Sequence, residues 1–235
     1  MRSFPLFALA IRVLVAAPCL LAAPRLAEAQ YPFGAFSLLW VRPESEAGQA
    51  QGCARMLVLN LPEAWSSGDA AIVLLAEDDA ALDAQRHLTA ALLREAAAVL
   101  EFASGPAEGC ALREVDQVGE VLGALRELRV QAGAGLVVAI GLGRAGPAAL
   151  AATEEEVAGR YLGSAGPRLA AAIALREDAP AAFAAGPAPP PGEAWHLRAP
   201  LLCDAVDAAT GGAAVAETCR AALIPPLRLS RVVAP

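Results

Sequence analysis

VVAIGLGRAGPAAL, residues Val137 to Leu150, is the stretch on which the fold turns. Leu136 to Ile140 is wholly apolar, as a strand buried on both faces of a parallel sheet must be. Gly141-Leu142-Gly143-Arg144-Ala145-Gly146 follows, and an alanine-rich stretch leaves it. Pro147 fits the first turn of a helix, where its missing N–H costs nothing. A strand thus passes through a glycine turn into a helix. Two kinds of site use such a turn: one cradles a pyrophosphate, the other raises a nucleophile above a sheet.

The first reading matches G-x-G-x-x-G at Gly141, Gly143 and Gly146, the dinucleotide fingerprint. An acidic ribose-binding residue should then close the next strand about 20 residues on. Here the next strand, Leu169 to Leu175, runs out at Glu177-Asp178, well beyond that. The turn also comes mid-chain, after at least three strands. The second reading sets the same letters beside G-x-S-x-G, with glycine in place of serine. Gly143 accepts the positive φ of such a turn without a Cβ penalty, but offers no attacking oxygen.

Working outward, Arg55 to Leu61 and Ala70 to Leu75 read as strands, a hairpin-like start with Ser66-Ser67-Gly68-Asp69 as the turn between them. Tyr31-Pro32-Phe33-Gly34 reads as loop. Asp83 to Ala98 reads as a helix, and Val99 to Phe102 as a short strand. Glu114 to Val130 is amphipathic, with Val115, Val118, Leu122, Leu125 and Leu128 on one face and Glu114, Asp116, Glu120 and Arg126 elsewhere. Gly186 to Gly192 is a proline-rich surface connection. Pro200 to Ala205 reads as a strand, Ala213 to Leu223 as a helix, and Leu227 to Val233 as the start of a last strand. Strands alternating with helices predict a mostly parallel sheet covered on both faces.

The chain has 235 residues, 57% of them hydrophobic, and a net charge of −7. That suits one domain with a sizeable core and excludes a disordered chain. With no basic run, nucleic acid is not an expected partner. Residues 1–29 read as a secretory signal peptide. Arg2 and Arg12 are basic, Val13 to Ala23 is apolar, and Ala27-Glu28-Ala29 before Gln30 is an A-x-A cleavage site. The apolar run falls short of the about 20 residues a membrane span needs, so no stable span is expected after cleavage. Pro18 spoils the lipobox before Cys19, and no twin-arginine pair is present. The expected location is periplasmic or extracellular. Cys53, Cys110, Cys203 and Cys219 remain, an even number consistent with disulfides in three possible pairings. Cys203, in the run Leu201-Leu202-Cys203, also fits a small buried hydrophobe. No C-x-x-C pair points to zinc.

Taken together, AAIVLL, VDQVGEVLGALRELRV, VVAIGLGRAGPAAL, PRLAAAIAL and RAPLLCDAVDAATGGAAVAETCRAAL resemble, in order and spacing, the dienelactone hydrolase family, particularly its exported members. The resemblance implies an α/β-hydrolase-like fold over residues 30–235, minimal and without a cap domain. It implies Gly143 at the nucleophile position and Asp207 at the triad aspartate, with Asp204 as its neighbour. A histidine should follow the aspartate, and none does in this sequence. His87 falls on a helix and His196 in a loop. The oxyanion turn of the family is replaced by Ala76-Glu77-Asp78-Asp79. The cysteine match implies a Cys110–Cys219 pair. Ser164 and Ser104 read as turn residues. The expectation is a pseudoenzyme that keeps a small-molecule pocket or a partner surface, with no cofactor and no metal. The alternatives are an active ester or lactone hydrolase with non-standard residues, and a dinucleotide-binding protein.

Overall fold

A computed structural model describes residues 33–49, 52–76, 82–102, 110, 116–176, 180–187, 193–210 and 213–224. Seven strands form one sheet in the order β1-β2-β4-β3-β5-β6-β7. They are β1 (Phe33–Val41), β2 (Arg55–Pro62), β3 (Ala70–Ala76), β4 (Ala98–Phe102), β5 (Leu136–Leu142), β6 (Ala171–Leu175) and β7 (Ala182–Ala185). The four central strands, β4, β3, β5 and β6, are parallel. Antiparallel β1–β2 and β7 flank them. Every residue of β3 and β5 is buried, which is why both appear in the sequence as unbroken apolar runs.

Helices cover both faces. On one lie α1 (Leu82–Arg94), α5 (Glu193–Thr210) and α6 (Ala213–Leu223), packed on Ile72, Leu74, Val138, Ile140 and Ile173. On the other lie α2 (Gln117–Glu127), α3 (Gly146–Ala151) and α4 (Glu155–Leu162), packed on Val73, Leu75, Leu100, Val137 and Ala139. Asp116 caps α2 by accepting a bond from the Gly119 N–H at 3.0 Å, satisfying one orphan donor of the first turn. The helix then widens into a π turn, Leu128–Ala132, closed by Gly133 at φ 74°. The fold is α/β-hydrolase-like, as expected from the sequence: a parallel centre, helices on both faces and a strand–turn–helix issuing from mid-sheet.

Several expectations are corrected. Phe33 and Gly34 belong to a nine-residue edge strand, not a loop. The hairpin is β1–β2, and β4 lies between β2 and β3, because the parallel strands claim β3's two edges. Pro200 to Ala205 is helix, not strand, and lies inside α5 with Pro200 in its interior. His196 also lies in α5 rather than in a loop. Glu120, off the apolar face of α2, is nonetheless only 5% exposed and is ion-paired with Arg55 at the start of β2. The expected signal peptide, Glu77 to Asp79, Ser104 and the strand at Leu227 to Val233 lie outside the described residues.

The cysteines pair as Cys53–Cys110 and Cys203–Cys219, with Cα separations of 5.9 and 5.6 Å. The Cys110–Cys219 expectation is therefore overturned. The physical reason is topological: α6 packs beside α5, which presents Cys203 to it. Cys110 follows β4, beside the β1–β2 connection that carries Cys53. Cys203 is buried, but as half of a disulfide.

Candidate functional site at the end of strand β5

Strand β5 is paired along both edges to its last residues, with Gly141 opposite Leu75 and Ala174, and Leu142 opposite Ala76 and Leu175. Leu142 is still extended, with φ −97° and ψ 136°. Gly143 then takes φ 60°, and a 3-10 turn through Ala145 delivers the chain into α3. Within three residues the backbone reverses from strand to helix. A Cβ on Gly141 would stand 2.6 Å from the Ala145 carbonyl carbon and 2.7 Å from the Gly146 Cα. A Cβ on Gly146 would stand 2.8 Å from that of Ala174. These two glycines are used up by the turn folding back on its own strand and by α3 lying against β6.

That geometry separates the two readings. A phosphate cradle needs its first glycine in an open turn, with free N–H groups facing the ligand. Here Gly141 is a strand residue paired on both sides, and α3 has only six residues. A nucleophile elbow needs one residue held at positive φ between strand and helix, with small neighbours. Gly143 meets the conformational requirement, and Ala145 behind it is small and 1% exposed. The turn thus carries a glycine, with no side chain, at its tip.

The other sequence-derived candidates do not assemble around it into a described triad. Asp207 lies near the end of α5, and its Oδ1 is buried with no hydrogen-bond partner among the described residues. Asp204 is ion-paired to Arg220 of α6. His87 is exposed on α1, its Nδ1 2.8 Å from the Asp83 carbonyl oxygen. Ser164 is exposed in the turn after α4, and its carbonyl accepts a bond from Arg168. Among the described residues, no group of three His, Cys, Asp or Glu is placed to hold a metal. A shallow apolar hollow lies at the opposite end of the central strands, between α1, α5 and the starts of β3 and β5. At that end Arg198 bonds Asp69 at 3.1 Å.

Long-range polar contacts not visible in the sequence tie the β1–β2 region to α2, and α4 to the start of α2. Arg55 Nη1 lies 2.6 Å from Glu120 Oε1 and its guanidinium 6.0 Å from the Phe102 ring centroid. Arg126 pairs with Glu44 at 2.6 Å. Tyr161 donates to Asp116 at 2.9 Å, and burial followed by that bond pushes its phenol up to about 12. Only the Glu–Arg spacing on α2 hinted at such partners, since they come from distant strands.

Burial raises the Glu120 carboxyl above its ordinary value, against the lowering effect of Arg55. The folded state therefore binds this proton more tightly than the unfolded chain does. The associated stability is fully present below the unfolded value of about 4.5 and is lost as pH rises through the raised folded value. Glu120→Gln removes that titration. Between pH 4 and pH 7, its melting temperature is expected to lose less, or gain more, than that of the wild type. A wild-type curve parallel to the variant's would refute the assignment.

No family model matches this chain, and no curated protein matches it in sequence. Solved structures do match. The esterase domain of a Rhodothermus marinus protein is 22% identical, covering 54% of this chain and 48% of that one, with a TM-score of 0.35. Brefeldin A esterase, described as a bacterial homologue of human hormone sensitive lipase, is 19% identical over 55% of this chain and 36% of its own, with a TM-score of 0.39. An α/β serine hydrolase without lid from Xanthomonas campestris is 12% identical over 60% of this chain and 71% of its own, with a TM-score of 0.39. The chain spans less than half the length of the first two.

Proposed function

We propose that this chain is an exported α/β-hydrolase-like protein whose elbow has no nucleophile and which acts by binding. In this reading it is a pseudoenzyme of the dienelactone hydrolase kind, taking a small molecule or a partner. The observation that carries the reading is Gly143 at φ 60° on the tip of the strand–helix turn. The backbone there has the conformation the chemistry needs, while the side chain is a hydrogen. Covalent catalysis of acyl transfer needs an oxygen or sulfur at that tip, and an oxyanion hole alone leaves only a residual rate on the order of 10³-fold over water. Export is supported by the two disulfides, which form and persist in oxidising compartments. Among the described residues, no helix is long and apolar enough to cross a membrane.

The test is a pair of assays on the full chain made in an exporting host. Fluorophosphonate probes should leave it unlabelled, and p-nitrophenyl acetate and butyrate should hydrolyse at the buffer rate. Labelling mapped to a serine by peptide mass spectrometry would sink the reading, as would turnover abolished by Ser164→Ala or Ser104→Ala. A thermal-shift series with small lactones and carboxylates reads out binding, since a ligand at a hundred times its Kd adds about 2.7 kcal/mol.

A further inference from the structure

The connection from β1 to β2 turns at the same edge of the sheet as Gly143. β1 and β4 both run antiparallel to β2, and β4 runs parallel to β3 and, through it, to β5. The ends of β1, β4 and β5 therefore share one edge. The connection is held there in two unequal parts. Its first part lies against α2, where the Arg42 and Glu44 carbonyls sit so close to Gly123 and Gly119 that neither glycine has room for a Cβ. The Glu44 N–H donates to the Gly119 carbonyl at 2.9 Å. Glu44 pairs with Arg126 at 2.6 Å, and Glu46 with Arg160 at 2.8 Å. The second part begins at Ala47, Gly48 and Gln49, all exposed. Among the described residues from Ala47 to Ala54, the tie to the body is the Cys53–Cys110 bond.

The two disulfides differ in access. Cys203 and Cys219 are both 0% exposed, between α5 and α6. Cys53 and Cys110 are both partly exposed. Exchange requires a thiolate to reach a disulfide sulfur, so access decides which bridge reacts. We propose that Cys53–Cys110 is a redox clasp: an external dithiol opens it while Cys203–Cys219 stays closed, and opening releases the second part of the β1–β2 connection without unfolding the sheet. One thiolate of the dithiol attacks a clasp sulfur, breaking the S–S bond and forming a mixed disulfide. The other clasp sulfur leaves as a thiolate and takes up a proton. The second thiol of the reagent then displaces the remaining cysteine. The reagent ends as a cyclic disulfide, and the protein as two thiols carrying its two electrons. In an oxidising compartment the clasp is closed at rest. With it open, the first part keeps its contacts on α2, and Arg55 at the start of β2 keeps its pair with Glu120. Both strands therefore stay anchored.

Dithiothreitol added to the native full chain tests this. Thiols trapped with iodoacetamide and read by peptide mass spectrometry should appear at Cys53 and Cys110 about 100-fold faster than at Cys203 and Cys219, whose sulfurs wait on local opening of the two helices. Backbone order parameters at Gly48, Gly52 and Ala54 should fall from about 0.85 to below about 0.6 on reduction. Amide exchange over Leu136 to Leu142 should stay slow. Oxidised glutathione should restore the starting state. Cys53→Ser/Cys110→Ser should show the low order parameters without reductant, and the wild-type comparison does not depend on that variant folding. The proposal is overturned if both bridges open at the same rate, or if neither opens short of denaturation. It is equally overturned if reduction leaves Gly48, Gly52 and Ala54 as ordered as before, if β5 loses its protection, or if the clasp fails to close again.

Discussion

Gly141→Ala should lower the melting temperature by about 10 °C, a loss on the order of 3 kcal/mol for a chain of this size. The cause is spatial. The added methyl would meet the Ala145 carbonyl carbon and the Gly146 Cα, both backbone, at 2.6 and 2.7 Å. No rotamer can relieve a clash with main chain, so either α3 moves off β6 or the end of β5 leaves the sheet. Gly163→Ala isolates the other use of glycine. Gly163 has φ 74° and ψ 169°, a region essentially confined to glycine, with nothing within 4 Å of a Cβ, so its variant has only backbone strain to bear, about 1–3 kcal/mol. Chemical denaturation of both variants gives the comparison. A Gly141→Ala chain as stable as wild type, or less affected than Gly163→Ala, would mean that the elbow is not packed as described.

The same turn shows what a sequence can disclose. Its strand, glycines and helix were legible because each is dictated locally: an apolar run too long to be half-exposed, a bend no Cβ could enter, and a proline where a helix begins. β3 and α2 were legible for the same reason. β1 was not, because FGAFSLLWV is apolar on both faces, so the polar–apolar alternation of an ordinary edge strand is missing. α5 was misread at Pro200 to Ala205, since a short apolar run has no period of its own and Pro200 argued for a start, not an interior. The burial of Glu120 is not legible because its partner, Arg55, lies 65 residues earlier in the chain. The site was half legible: the conformation of Gly143 follows from its neighbours, whereas the surroundings of Asp207 depend on how α5 packs.

The cysteine pairing is the largest consequence of topology that the sequence left open, and it carries a second strong expectation. Cys53→Ala/Cys110→Ala opens a link 57 residues apart in sequence and should cost about 4 kcal/mol. Cys203→Ala/Cys219→Ala opens one of 16 residues and forfeits about 3 kcal/mol of chain entropy. The second pair is also fully buried, so lost packing brings its total near that of the first. Total cost therefore does not separate them, but the denatured state does. The long cross-link holds the unfolded chain compact, and removing it exposes more surface, so the urea m-value should rise. Removing the short link leaves the m-value nearly unchanged, because a loop within one helical hairpin restrains little of the chain. Non-reducing peptide mapping gives the direct check: Cys53 joined to Cys110, and Cys203 to Cys219. A peptide joining Cys110 to Cys219 would tie the β4–α2 connection to α6, across the sheet from where the fold places it, and would refute this arrangement of the two helical layers.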